Sequence, residues 1–189
     1  MRQAALLVLT LGLLLTAGCG GQSKEERAIE SVSKGLQAQG EGRIDDATKA
    51  YREALDANPS DPNALFNLGV LEQTAGRAAS AENYYRLALA ADPNFTPAMY
   101  NLAIIRTDAG AHQEAVQLYR RAADIAPNDA NIRLNLGFAY FALGQEQEGR
   151  AQLDRAVQLN PALASRVPAP PPPAPPAPPA APAESATTP

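Results

Sequence analysis

The sequence holds a single histidine and a single cysteine, so its scope for chemistry is soon bounded. His112 and Glu114 stand two residues apart, and an imidazole beside a carboxylate can move protons. His112 follows Gly110-Ala111, where the chain turns between two helical runs, and is expected to be a solvated loop residue. No ordered serine, histidine and aspartate set, phosphate-binding glycine loop or metal-ligand cluster accompanies it. With one Cys and one His, neither a disulfide framework nor a multi-thiolate metal site can form within the chain. No catalytic residue, cofactor or metal is expected, and the chain reads as non-enzymatic. A formal net charge of −4, without clustered cations, also argues against a nucleic-acid partner.

The elements that carry these residues repeat. Pro59, Pro93, Pro127 and Pro161 are each 34 residues apart, and Gly42, Gly76, Gly110 and Gly144 keep the same step. Tyr51, Tyr85, Tyr119 and Leu153 follow it, as do Ala54, Ala88, Ala122 and Ala156. The clearest unit runs from Asn63 to Pro93: a helical run, a polar loop ending at Gly76, and a second helical run closing on Asp92-Pro93. A fixed period of this length marks stacked supersecondary units that bury a continuous core together.

The pattern resembles the tetratricopeptide repeat (TPR), a helix-turn-helix unit. The second repeat matches at Leu65, Leu68-Gly69, Ala81, Tyr85, Ala88 and Pro93. The third matches at Met99, Leu102-Ala103, Ala115, Tyr119, Ala122 and Pro127, and the fourth at Leu136-Gly137, Gly149, Leu153, Ala156 and Pro161. The first is weakest in its leading helix, with Lys34-Gly35, then Ala47, Tyr51, Ala54 and Pro59. The resemblance implies an all-α fold, a right-handed α-solenoid of four units near 28–61, 62–95, 96–129 and 130–163, within a domain of residues 25–167.

Local signals set the helix ends. Ser23 with Glu26 fits a capping box that opens a first helix over Glu25–Gln39, with Ile44–Ala57 as its partner. Asp61 before Pro62, Thr96 before Pro97, and Asp129 before Ala130 read as helix starts. Gly69 and Ala81, and Gly137 and Gly149, are small where paired helices approach most closely. The last helix, Gln145–Asn160, is polar enough to serve as its own cap, and residues 162–167 add one short turn. A partly apolar edge there would be a surface for a homo-oligomer.

In TPR proteins the first helix of each unit lines a concave groove. Carried over by position, this gives Asn63, Phe66, Asn67, Val70, Gln73 and Thr74, then Pro97, Tyr100, Asn101, Ile104, Thr107 and Asp108. The fourth unit gives Asn131, Leu134, Asn135, Phe138, Phe141 and Ala142. Asn67, Asn101 and Asn135 form a ladder of amides, flanked by the apolar rows Phe66, Tyr100, Leu134 and Val70, Ile104, Phe138. An amide can donate and accept, so the ladder either meets an extended peptide partner or pairs within the scaffold. A clamp for acidic chain ends is not expected: Val32, Leu36, Pro97 and Asn101 stand where its other residues belong, and only Asn67 fits.

At the start, Arg2, a short apolar run to Leu15 and small residues before Cys19 read as a secretory signal. The run is shorter than the ~20 residues that comfortably span a bilayer. It resembles a bacterial lipobox, which implies cleavage after residue 18 (1–18), lipidation including palmitate-type acylation at Cys19, and a tether over 19–24. The mature chain would be anchored in the cell envelope, at the periplasmic face of the outer membrane. Residues 168–189 are expected to be a disordered proline- and alanine-rich tail. Together these readings suggest a membrane-anchored scaffold that binds a protein or peptide partner, similar in architecture to TPR lipoproteins of type IV pilus and other envelope assemblies. The alternatives are a structural envelope spacer or a non-catalytic accessory subunit of a cell-wall or outer-membrane assembly complex.

Overall fold

The computed structural model describes residues 22–168. The expected signal segment 1–18, the expected lipidation at Cys19 and nearly all of the proline- and alanine-rich stretch lie outside these residues. Among the described residues every regular element is helical: α1 Lys24–Gly40, α2 Ile44–Ala57, α3 Pro62–Thr74, α4 Ala78–Ala91, α5 Thr96–Asp108, α6 His112–Ile125, α7 Ala130–Ala142, α8 Glu146–Leu159, and a final 3₁₀ turn over Pro161–Arg166. They pair as α1 with α2, α3 with α4, α5 with α6 and α7 with α8, and each pair packs on the next. This is an α-solenoid of four TPR-type hairpins.

The helix ends follow from their end groups. Ser23 and Glu26 form a reciprocal capping box on α1. The Asp61 side chain accepts from the Ala64 N–H, and that of Asp129 from Asn131 and Ile132. Thr96 departs from expectation. It is the first helical residue of α5, and its hydroxyl bonds the Asn94 carbonyl instead. The Phe95 carbonyl accepts from both Ala98 and Met99, so backbone alone closes this first turn.

Every leading helix stops in the same way. Gly42, Gly76, Gly110 and Gly144 have φ of 72–75°, a region that L side chains enter only with strain. After α3, Gly76 N–H bonds Gln73 O at 2.9 Å and Arg77 N–H bonds Glu72 O at 2.9 Å, the paired bonds of a Schellman stop. The same two bonds recur after α1, α5 and α7.

Inside each hairpin a large side chain of the second helix lies against a small residue of the first. Tyr51, Tyr85 and Leu153 are fully buried and face Gly35, Gly69 and Gly137. A methyl placed on Gly69 would lie 2.6 Å from Cε1 of Tyr85, and one on Gly137 would lie 2.6 Å from Cδ2 of Leu153. The core then runs from hairpin to hairpin: Tyr51 packs with Leu68 and Leu71, and Tyr85 with Leu102 and Ile105. Gly69→Leu is expected to force α3 and α4 apart, lowering the unfolding free energy by about 1–3 kcal/mol. Chemical denaturation measures this, and an unshifted midpoint would show that the ring does not hold the two helices at that spacing.

Candidate functional site

The face formed by α1, α3, α5 and α7 carries the residues singled out for partner binding. Asn63 and Asn131 are exposed, while Phe66, Asn67, Val70, Tyr100, Asn101, Ile104, Asn135 and Phe138 are half-buried. Leu134 differs: it is 1 % exposed and packs with Leu153, Ala156 and Leu163. The 3₁₀ turn after α8 brings Leu163 onto it, so Leu134 belongs to the core and not to an open groove surface.

Its row is also largely occupied in the other units. The Phe66 ring meets Tyr85 and Phe95 with centroids 5.7 and 5.6 Å away, and Tyr100 meets Tyr119 edge-on at 5.9 Å. In the second row Val70, Ile104 and Phe138 are likewise half-buried and rest against the core, but the apolar face extends further than expected. Counting back 34 residues from Val70 and Asn63 reaches Leu36 and Ile29, which are 52 % and 62 % exposed. Leu36, Val70, Ile104 and Phe138 thus place one apolar side chain per unit along this face. The 34-residue step alone identifies Leu36 and Ile29 as part of it. Of the inner residues of α3, α5 and α7, Asp108 alone is charged.

The amide ladder is tied into the scaffold on its nitrogen side. Asn67 Nδ2 donates to the Asn63 carbonyl at 2.8 Å, Asn101 Nδ2 to the Tyr85 hydroxyl at 3.2 Å, and Asn135 Nδ2 to the Tyr100 hydroxyl at 2.7 Å. Tyr85 donates its own proton to Gln73 Oε1 at 2.7 Å, as Tyr51 does to Gln39 at 2.7 Å. Burial pushes the Tyr85 hydroxyl up from the ordinary 10.0 to about 12, against the opposing pull of the Asn101 bond. Burial also raises Tyr51, Tyr100 and Tyr119.

His112 is not in the solvated loop. The Schellman stop ends at Ala111, so His112 is the first residue of α6 and half-buried, with Nδ1 buried and unpaired. Glu114 turns to cations rather than to the imidazole: its carboxylate lies 3.7 Å from Arg106 and 3.9 Å from Arg86. Arg106 in turn pairs with Glu82, and Arg86 bonds Glu82 at 2.9 Å. Two cavities recur at the repeat step beside this network. One of about 390 Å³ is lined by Arg86, Leu102, Glu114 and Leu118, and one of about 480 Å³ by their counterparts Arg120, Leu136, Glu148 and Gln152. Among the described residues no group of three His, Cys, Asp or Glu is placed to hold a metal, and no helix is long and apolar enough to cross a membrane.

Stacked hairpins whose inner face carries apolar and amide side chains and a single charge, Asp108, define a helical-repeat scaffold. Family models described as tetratricopeptide repeat match residues 33–94 and 130–163, and one described as TPR repeat matches 105–144. The chain belongs to the tetratricopeptide repeat family. Its fold is similar to that of MamA from Desulfovibrio magneticus RS-1 (22 % identity, TM-score 0.65, 74 % of this chain and 78 % of that one). It is also similar to PilF of Pseudomonas aeruginosa (24 %, 0.66, 73 % and 63 %). YrrB, a TPR protein with an unusual peptide-binding site, aligns at 19 % identity and a TM-score of 0.60 over 71 % of this chain and 69 % of that one. At these identities the likeness carries the fold. No curated protein sequence matches significantly.

The raised tyrosine has a pH consequence. An unfolded tyrosine loses its proton near 10.0, whereas Tyr85 keeps it to about 12. Between those values the unfolded chain binds fewer protons, so stability falls as pH rises. Denaturant midpoints are expected to hold below pH 10.0 and to drop towards pH 12, while tyrosinate absorbance lags that of the unfolded chain. Coincident absorbance titrations would contradict the burial of these hydroxyls.

Proposed function

We infer that this chain is a membrane-anchored, non-enzymatic scaffold that grips a protein or peptide partner on its inner face, within an envelope complex such as a type IV pilus. The observation that carries the reading is the row Leu36, Val70, Ile104 and Phe138. One apolar side chain per unit, on a face with Asp108 as its one inner charge, suits an uncharged polypeptide laid across several units. Apolar area removed from water contributes roughly 25 cal/mol per Å², whereas an acidic chain end finds no cation on this face. The peptide-binding site of the structurally similar YrrB supports the same use of the fold.

The anchor rests on Cys19, which follows Thr16-Ala17-Gly18 at the end of the apolar leader. Several acyl chains hold where one does not, since each buried methylene adds ~0.8 kcal/mol. The first helix starts at Lys24, which would keep the scaffold close to an outer-membrane surface and facing the periplasm. Mass spectrometry of the mature amino terminus tests this directly: acylated Cys19 is expected, and an unmodified or uncleaved terminus would remove the anchor.

Crosslinking in the native envelope, followed by identification of the captured proteins, tests the partner. Leu36→Glu combined with Ile104→Glu is expected to reduce recovery of the specific partner at least tenfold while circular dichroism stays unchanged. Undiminished recovery would favour a structural spacer. His112→Ala is expected to leave recovery unaltered, and a large loss would reopen a role for the imidazole.

A further inference from the structure

The carboxyl-terminal edge of the solenoid carries a second surface. In the third unit Val116 is 3 % exposed and lies in a cluster with Ile132, Leu136 and Ala139 of α7. Its counterpart 34 residues on is Arg150, on α8, which no further hairpin follows among the described residues. What lies there instead is the last stretch of the described residues. Leu163 and Val167 pack on Leu134, Leu153 and Ala156. The Pro168 carbonyl accepts a 2.8 Å hydrogen bond from Arg150 Nη1. The Arg150 guanidinium stands over the Phe141 ring, 5.7 Å from its centroid. Beside it opens a cavity of about 430 Å³ lined by Phe141, Glu146, Gln147, Arg150, Ala151 and Asp154.

The geometry points to this edge as the docking surface for the chain's own residues 169–183, which act as the cap of the repeat array. The described chain ends at Pro168, already bonded to Arg150 at the rim of the cavity. Residues 169–183 are proline and alanine throughout. They offer carbonyl acceptors and ring faces but few N–H donors. The edge is complementary: a guanidinium and the Gln147 amide to donate, and an aromatic face to pack against. Glu146 and Asp154 at the rim repel an acidic occupant and admit this uncharged one. At ~3.1 Å per residue these residues reach on the order of 45 Å, against ~20 Å for two helix diameters, so the segment is long enough to cover α7 and α8. With the edge covered in cis, a second copy cannot stack end to end on it.

The test uses the full-length protein with a photoreactive phenylalanine derivative in place of Gln147, and in a control in place of Gln113, the counterpart one unit earlier. Trypsin cuts after Arg166, and fragmentation maps the crosslinked residue in the terminal peptide. The expected result is crosslinking from position 147 to residues 170–183 at monomer mass, at least fivefold above position 113, falling at least threefold when Arg150→Ala is added. Crosslinks confined to Val167 and Pro168, equal yields from both positions, products only at dimer mass, or indifference to Arg150→Ala would each overturn the proposal.

Discussion

The molecule depends on a ring lodged where a side chain is missing. Tyr85 occupies the space that a Cβ on Gly69 would need, and Tyr51 does the same at Gly35. That contact brings the two backbones of a hairpin close enough for the large side chain to be fully buried. It also sets the reach of the phenol oxygen, which arrives within 2.7 Å of Gln73 and within 3.2 Å of an amide in the next hairpin. Packing within one unit and registration between units therefore share a residue. The fourth unit keeps the contact with Leu153 against Gly137 but has no phenol there to reach onward.

Much of this was legible in the sequence because the residues that stop and start helices are few and chemically distinct. Proline, glycine and the acidic caps at Asp61 and Asp129 fall at a constant step, and the helices follow them. The misreadings have physical causes. Thr96 looked like a cap, but the Phe95 carbonyl already closes that turn. His112 looked like a loop residue, but the helix-stop bonds close at Ala111 and α6 starts on the next residue. Leu134 was placed on the inner face by its period, yet periodicity carries no notice that the array is about to end. There the 3₁₀ turn folds Leu163 over it. Leu36 and Ile29 obey the period but sit in the unit whose leading helix matches the family least, so their exposure emerged only with the fold. The hydrogen-bond partners of Asn101 and Asn135 were not legible at all, since they are side chains 16 and 35 residues away, whereas Asn67 bonds a carbonyl within its own helix.

Charge is distributed unevenly over the surfaces of the array. Arg86, Glu82, Arg106 and Glu114 form a linked set between α4, α5 and α6. Ion pairs this exposed contribute little to stability, with Arg106, whose side chain is 18 % exposed, the most sheltered of them. Their effect is rather on which surfaces remain neutral. Apart from Asp108, the inner face of α3, α5 and α7 is left to amide, threonine and apolar residues, and a scaffold with a net negative charge thereby keeps a nearly neutral lane along its hairpins.

The bond between Tyr85 and Gln73 has a further bearing on that lane. A phenol has one proton to give, and Tyr85 gives it to Gln73; towards Asn101 it can only receive. The amide of Asn101 therefore commits its nitrogen to the phenol and keeps its carbonyl oxygen as an acceptor for a further partner. Whatever settles beside Asn101 meets a hydrogen-bond acceptor with fixed polarity, which favours backbone bearing N–H groups and disfavours imino-acid runs. The face and the edge of this one chain would then sort polypeptides by opposite rules.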